Sequence, residues 1–193
     1  MEILRRLGMK REWIYEVVVS TLCQSLPHSA PIGVWTENFK TLKSEIYKGS
    51  KTLGNILEHR DYSVNLPPDT IGIYNSLFAK HRLVYEKSKK IRAPILSWAS
   101  ANLELKLKAI KERDKTFLVE GEIVSIRTKD RINLINRAEG LVLENLVLST
   151  KLPHLQGKGI RNVIRENYRV IRKVAPGSDY EKVAESLIRT LKL

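Results

Sequence analysis

Leu103, Leu105 and Leu107 alternate with Glu104, Lys106 and Lys108. A period of two predicts a strand with one face buried. Thr116–Ile126 follows across Glu112–Lys115 and reads as its hairpin partner. Leu42–Tyr47 alternates in the same way, with Leu42, Ser44 and Ile46 on one face and Lys43, Glu45 and Tyr47 on the other. Trp13–Leu22 is β-branched through Val17, Val18, Val19 and Thr21, as a central strand is. Cys23–Pro27 has turn composition, and His28–Trp35 returns as a second strand. Pro31 cannot donate to a ladder, so this strand is expected to bulge or to lie at an edge there. Tyr62–Leu66 is a further short strand, stopped by Pro67 and Pro68.

Helical spacing first appears at Leu53, Ile56 and Leu57, predicting a helix from Lys51 to His59 directly after the third strand. Asp69 or Thr70 caps a short helix ending at Phe78, and Lys80–Arg92 is a basic connection without clear period. Five or six antiparallel strands with a helix after the third suggest a closed or partly closed barrel. The last third changes character. Asn136–Glu139 and Ser178–Glu181 are capping boxes, each opening a helix, and another helix spans Ile160–Val174 after a break at Pro153–Gly159. Such helices cannot close a barrel. The expected organisation is a barrel domain over 1–130 and a helical C-terminal extension over 131–193, packed on the barrel or against a second subunit.

Composition narrows the class without choosing a function. A chain of 193 residues buries enough surface, roughly 70%, to fold without metal or disulfide. Cys23 is the single cysteine, so no intrachain disulfide forms. Met1–Lys10 is too short and too charged for the apolar region of a signal peptide, and no run of about 18 apolar residues occurs. A cytoplasmic location is the default expectation. Met9 is a possible alternative start, which makes Met1–Gly8 a loosely held extension. The net charge of +13 attracts nucleic acid and phosphorylated small ligands alike.

The chemistry concentrates between Pro27 and Asn55. Gly49 permits a sharp turn, and Ser50 then caps the helix whose first N–H groups lack intrahelical partners. Hydroxyls at Ser50 and Thr52 with the Lys51 ammonium would complete an anion pocket at the positive helix end. A serine at a helix start is more often a plain cap, and on this segment alone the cap is the favoured reading. Gly49–Thr52 lacks the glycine–lysine pair of a nucleotide P-loop, and no dinucleotide glycine fingerprint occurs. His28, His59, His81 and His154 are scattered, so no metal site is expected.

Taken in order, Ile14–Leu22, Pro27–Val34, Ser50–Ile56, Tyr62–Leu66, Ala93–Pro94, Gly121–Val124, Asn136–Gly140 and Leu148–Leu152 resemble flavin reductase-like split barrels. The run is most similar to the prokaryotic domain-of-unknown-function family 447, along nearly the whole chain. The resemblance implies a mainly β fold with α elements: an antiparallel split β-barrel with a C-terminal helical extension. It also implies a homodimer with FMN near the subunit interface. The FMN phosphate would lie at Ser50, Lys51 and Thr52 and the isoalloxazine along Ser29, Ala30, Pro31, Ile32 and Gly33. Backbone N–H groups there could tune the reduced flavin. His28 could act as proton donor, Tyr47 could stack on the ring, Asn55 could reach the ligand from the Ser50 side, and Trp98 could cover the flavin from a partner subunit or simply pack.

These residues support a flavin-dependent oxidoreductase of unknown substrate, with NAD(P)H or another donor bound transiently over the flavin. The alternatives are a module that holds flavin, deazaflavin or haem without turnover, and a basic nucleic-acid-binding protein. Arg161, Arg165, Arg169 and Arg172 share one helical stripe opposite Ile160, Val163, Ile164 and Ile171. Few aromatic residues interleave with them to stack bases, which favours a solvated face.

Overall fold

The computed structural model describes residues 3–129, 131–152 and 158–193. The contacts divide into two units, one formed by Met1–Arg11 with Tyr15–Ile135 and the other by Glu12–Ile14 with Asn136–Leu193.

In the first unit, a one-turn helix α1 (Ile3–Arg6) precedes strands β1 (Tyr15–Cys23), β2 (Leu26–Trp35) and β3 (Thr41–Tyr47). Helix α2 (Lys51–His59), strand β4 (Asp61–Leu66) and helix α3 (Thr70–Phe78) come next. Two-residue strands β5 (Tyr85–Glu86) and β6 (Ile95–Leu96) pair with each other, and the long hairpin β7 (Ala101–Glu112) and β8 (Thr116–Thr128) completes the unit. Six strands close an antiparallel barrel in the order β1-β2-β3-β8-β7-β4. Every inward position named from the alternation is buried: Leu42, Ser44 and Ile46 on β3, and Leu103, Leu105 and Leu107 on β7.

Several expectations are amended. The first strand begins at Tyr15 rather than Trp13, because Trp13 and Ile14 pack into the core of the helical unit. Its turn is tighter than Cys23–Pro27: β1 and β2 pair as far as Cys23 opposite Leu26, with Gln24 and Ser25 both at positive φ. The N-terminal segment is not loosely held, since Leu4, Leu7 and Met9 are buried and the Arg5 guanidinium lies 4.6 Å from the Phe39 ring centre. Within the basic connection, two buried carboxylates grip the backbone. Glu104 accepts from the N–H groups of Lys89 and Lys90, and Asp61 from those of Arg92 and Ala93. That connection therefore has a fixed path and contributes β5, which pairs with β6 just beyond it, and both are too short to leave a periodic signal.

Pro31 produces no bulge. β2 runs in continuous register with β1, Pro31 opposite Val18, and the ladder irregularities lie instead between β7 and β8. The edge expectation holds: β3 pairs with β2 only at Val34 and Trp35, leaving Leu26–Pro31 with no strand on that side. Glu16 donates its N–H to Ile135, and the Val18 carbonyl accepts from Asn65, so both turn away from β2. By ladder alternation, their partners Gly33 and Pro31 direct their backbone groups away from β1, towards the open side.

The helical unit comprises α4 (Arg137–Lys151), α5 (Lys158–Val174) and α6 (Asp179–Thr190) around Ala138, Ile171, Val174, Ala175 and Ala184. Asn136 caps α4 through the Ala138 N–H, and its amide nitrogen reaches the Ile14 and Val174 carbonyls. Ser178 caps α6 through Glu181, while the Glu181 carboxylate accepts from Gly177. Most of the expected break at Pro153–Gly159, together with His154, lies outside the described residues. Val163, expected on the apolar stripe of α5, is 47% exposed, whereas Ile164 and Ile171 are fully buried.

Candidate functional site

Between the open side of β2 and the start of α2 lies a groove of about 270 Å³. Its lining is Ala30–Gly33 from β2, Glu45–Tyr47 from β3, and Ser50 and Thr52 from α2. The predicted ring-binding strand and the predicted anion-binding turn, some twenty residues apart in the chain, thus form one concavity. Glu45 and Ile46 are lining residues that the sequence reading did not single out. Glu45 shares the outward face of β3 with Tyr47, so the alternation already carried that signal.

The α2 end is built by local rules. Gly49 takes φ +74°, and Ser50 Oγ accepts the Leu53 N–H at 3.3 Å. The cap uses an oxygen lone pair and leaves the Ser50 O–H free to donate, so capping and anion binding are compatible roles. The Gly54 N–H reaches the Ser50 carbonyl at 3.1 Å, and those of Lys51 and Thr52 precede the first helical bond. Lys51 itself is exposed and not part of the lining.

Behind the groove lies a polar cluster. His28 Nε2 is 3.2 Å from Thr52 Oγ1. Asn55 donates to Thr21 Oγ1 at 2.8 Å, and the Thr21 hydroxyl reaches the His28 carbonyl at 3.4 Å. Burial chiefly, then the positive charges of Lys80 and Lys51, hold the His28 imidazole below its ordinary pKa. It is therefore neutral at neutral pH, when the predicted donor role would need a proton to spare. Asn55 is 5% exposed and turned into the barrel, on the same buried side of α2 as Thr52 and Ile56, so it does not reach outward from the Ser50 side as expected.

Ser29 is also set back. Its hydroxyl meets Ser20 Oγ at 2.7 Å and accepts from Tyr85 at 3.0 Å, on the side of the barrel wall that faces β5. Asn65 extends this network to Ser20 and Ser63, and accepts from the Leu96 N–H and from Asn102. At the strand edge the expected backbone donors are not those of Ala30 and Ile32, whose groups alternate towards β1. Pro31 offers a carbonyl acceptor there and no N–H. Tyr47 is 69% exposed at the groove rim. Trp98 packs with Val18, Leu83, Leu96 and Ala99, against Gly72, where a Cβ would come within 2.8 Å of the indole.

Residues 15–130 match a family model described as the N-terminal domain of a protein of unknown function, DUF447. The chain belongs to the DUF447 family. The uncharacterized protein MJ1453 of Methanocaldococcus jannaschii is 28% identical over 193 residues, covering 93% of this DUF447 chain and 99% of its own. Among solved structures, the FMN-bound protein MM1853 of Methanosarcina mazei is 23% identical with TM-score 0.58, covering 97% of this chain and 98% of that one. A flavin reductase-like protein with a split barrel domain, from Shewanella frigidimarina, is 17% identical with TM-score 0.56, over 61% of this chain and 68% of its own. At these identities the likeness establishes the fold: a split β-barrel of the flavin reductase kind. No helix among the described residues is long and apolar enough to cross a membrane, and no cluster of metal-ligating side chains occurs among them.

Proposed function

We propose that this DUF447 protein binds FMN in the β2–α2 groove and serves as a flavin-dependent oxidoreductase whose substrate is unknown. The observation that carries the reading is the union, in one concavity, of an apolar strand edge with an open carbonyl and a helix start with free donors. The FMN bound to the Methanosarcina mazei protein of the same fold and family supports it. The residues fit the group. Ser50, Thr52 and the first α2 N–H groups suit a phosphate, the Pro31 carbonyl suits a ring N–H, and Ala30 and Ile32 supply apolar wall.

FMN supplies hydride and electron transfer when bound; the protein positions it and admits a donor such as NAD(P)H. A second copy of the chain is the proposed partner. Helix α3 leaves Ile71, Tyr74, Leu77 and Phe78 exposed, an unusual concentration of apolar surface on nine residues. Nucleic acid finds less support, since the α5 arginines are engaged within their own unit. Arg161 donates to the Leu191 carbonyl, Arg165 to Asn162 and Arg169 to Glu166, while Arg172 pairs with Glu181. A cytoplasmic setting accords with the lone thiol of Cys23.

The test is the visible spectrum of purified protein after FMN is added and unbound flavin removed. A retained flavin spectrum is expected, and a colourless protein overturns the reading. Retention without reduction by either pyridine nucleotide would make the protein a flavin carrier instead of an oxidoreductase.

A further inference from the structure

We propose that His28 is a positioning residue for the groove: it orients the Thr52 hydroxyl towards a bound phosphate monoester and takes up a proton as that anion binds. The inference rests on the flavin-binding reading above and adds to it a proton linkage that the fold alone does not imply.

The geometry is specific. Thr52 is 3% exposed, yet it lines the groove, so its hydroxyl has few choices of partner. His28 Nε2 stands 3.2 Å behind it. A neutral imidazole leaves this bond ambiguous. With the proton on Nδ1, Nε2 is an acceptor and draws the Thr52 hydrogen backwards, turning oxygen lone pairs towards the groove, the wrong polarity for an anion. A protonated imidazole has a hydrogen on both nitrogens. Nε2 must then donate to Thr52 Oγ1, and the Thr52 O–H points forward as a donor.

The charges around the ring disfavour this state until a ligand is in place. Lys51 on α2 and Lys80 after α3 both oppose a positive imidazole, as does partial burial. Against β2, β3 carries one carboxylate on the groove lining, Glu45, which is paired with Arg113 at 3.5 Å, and the other elements bring no counter-charge to the ring. β1 presents the uncharged Thr21, Thr70–Phe78 contains no charged residue and only Tyr74 titrates, and Tyr85 of β5 is bonded to Ser29. A phosphate at the α2 start brings the missing negative charge and raises the imidazole pKa. The sign follows by linkage. A group whose pKa is higher in the complex than in the free protein binds a proton on complex formation, so the His28 contribution to affinity grows as pH falls through the interval between the two values.

The experiment compares FMN affinity of wild type and His28→Gln by flavin fluorescence from pH 5.5 to 8.5, with riboflavin as the phosphate-free probe. Glutamine keeps a hydrogen bond to Thr52 and cannot titrate. The phosphate of FMN titrates near pH 6, but identically for both proteins, so the ratio of their affinities isolates the histidine. A rise of one unit in pKa corresponds to a ratio growing about tenfold from high to low pH, with riboflavin showing no such trend. FMN binding by both proteins with a pH-independent ratio overturns the inference and leaves the flavin reading intact. No FMN binding at any pH overturns both. The wild-type imidazole, followed by NMR with and without FMN, gives the same answer independently of the variant's folding: an upward shift supports the linkage and none refutes it.

Discussion

Ser50 carries two duties that substitution can separate. Alanine removes the cap and the groove hydroxyl together, and a lost cap costs about 1 kcal/mol of stability. Glycine at an N-cap costs only a few tenths. Ser50→Gly is therefore expected to unfold in denaturant close to wild type, while Ser50→Ala unfolds earlier. Both should bind FMN more weakly by about tenfold or more, the worth of one charge-assisted bond of roughly 1.5–3 kcal/mol. Wild-type stability in Ser50→Ala would show that the capping bond contributes nothing. Gly72 gives a second residue-scale prediction. A methyl there meets the Trp98 ring at 2.8 Å, so Gly72→Ala should destabilise by about 1–3 kcal/mol and shift the tryptophan emission. An unchanged emission spectrum and midpoint would mean that the ring gives way freely.

The elements read from sequence are those whose signals are local. Helix α2, its cap and its bounds follow from residues within one turn of each other, and so do β3 and the β7–β8 hairpin. The groove is legible to the same extent. Local sequence and resemblance single out Ser50, Thr52 and Ala30–Gly33, and these residues share one groove. What depends on distant chain was not readable. That Asn55 bonds Thr21, or that Ser29 bonds Tyr85, follows from barrel closure and not from neighbouring residues. The path of the basic connection depends likewise on Asp61 and Glu104, carboxylates whose partners are backbone groups far along the chain. Replacing Glu104 by Gln leaves one of its two N–H bonds without an acceptor. Amide exchange at Lys89 and Lys90 is expected to accelerate well before the rest of the barrel. Uniform protection across that segment would refute the anchoring role.

At the scale of the molecule, the exposed face of α3 and the proposed second copy are open to direct measurement. Phe78 is 73% exposed, so Phe78→Asp should leave the monomer fold intact while placing a charge in the apolar face. Sedimentation is expected to show a dimer for wild type and a lighter species for the variant. A wild-type monomer at the same concentration would remove the homodimer from the proposed function and leave the groove untouched.

Pro31 has a consequence outside ligand binding. A strand with one free side is a template on which another chain can add, and the surest guard against such growth is a residue that cannot complete the hydrogen-bond row. The open length of β2 carries that guard at its inner end, close to where β3 parts from β2. Valine at this position restores the missing N–H to a β-favouring strand. The expected result is a protein that still folds but scatters light on standing, sooner in its flavin-free form. In this sense the groove is also a gap in the sheet that the chain has to keep from being filled by its own kind.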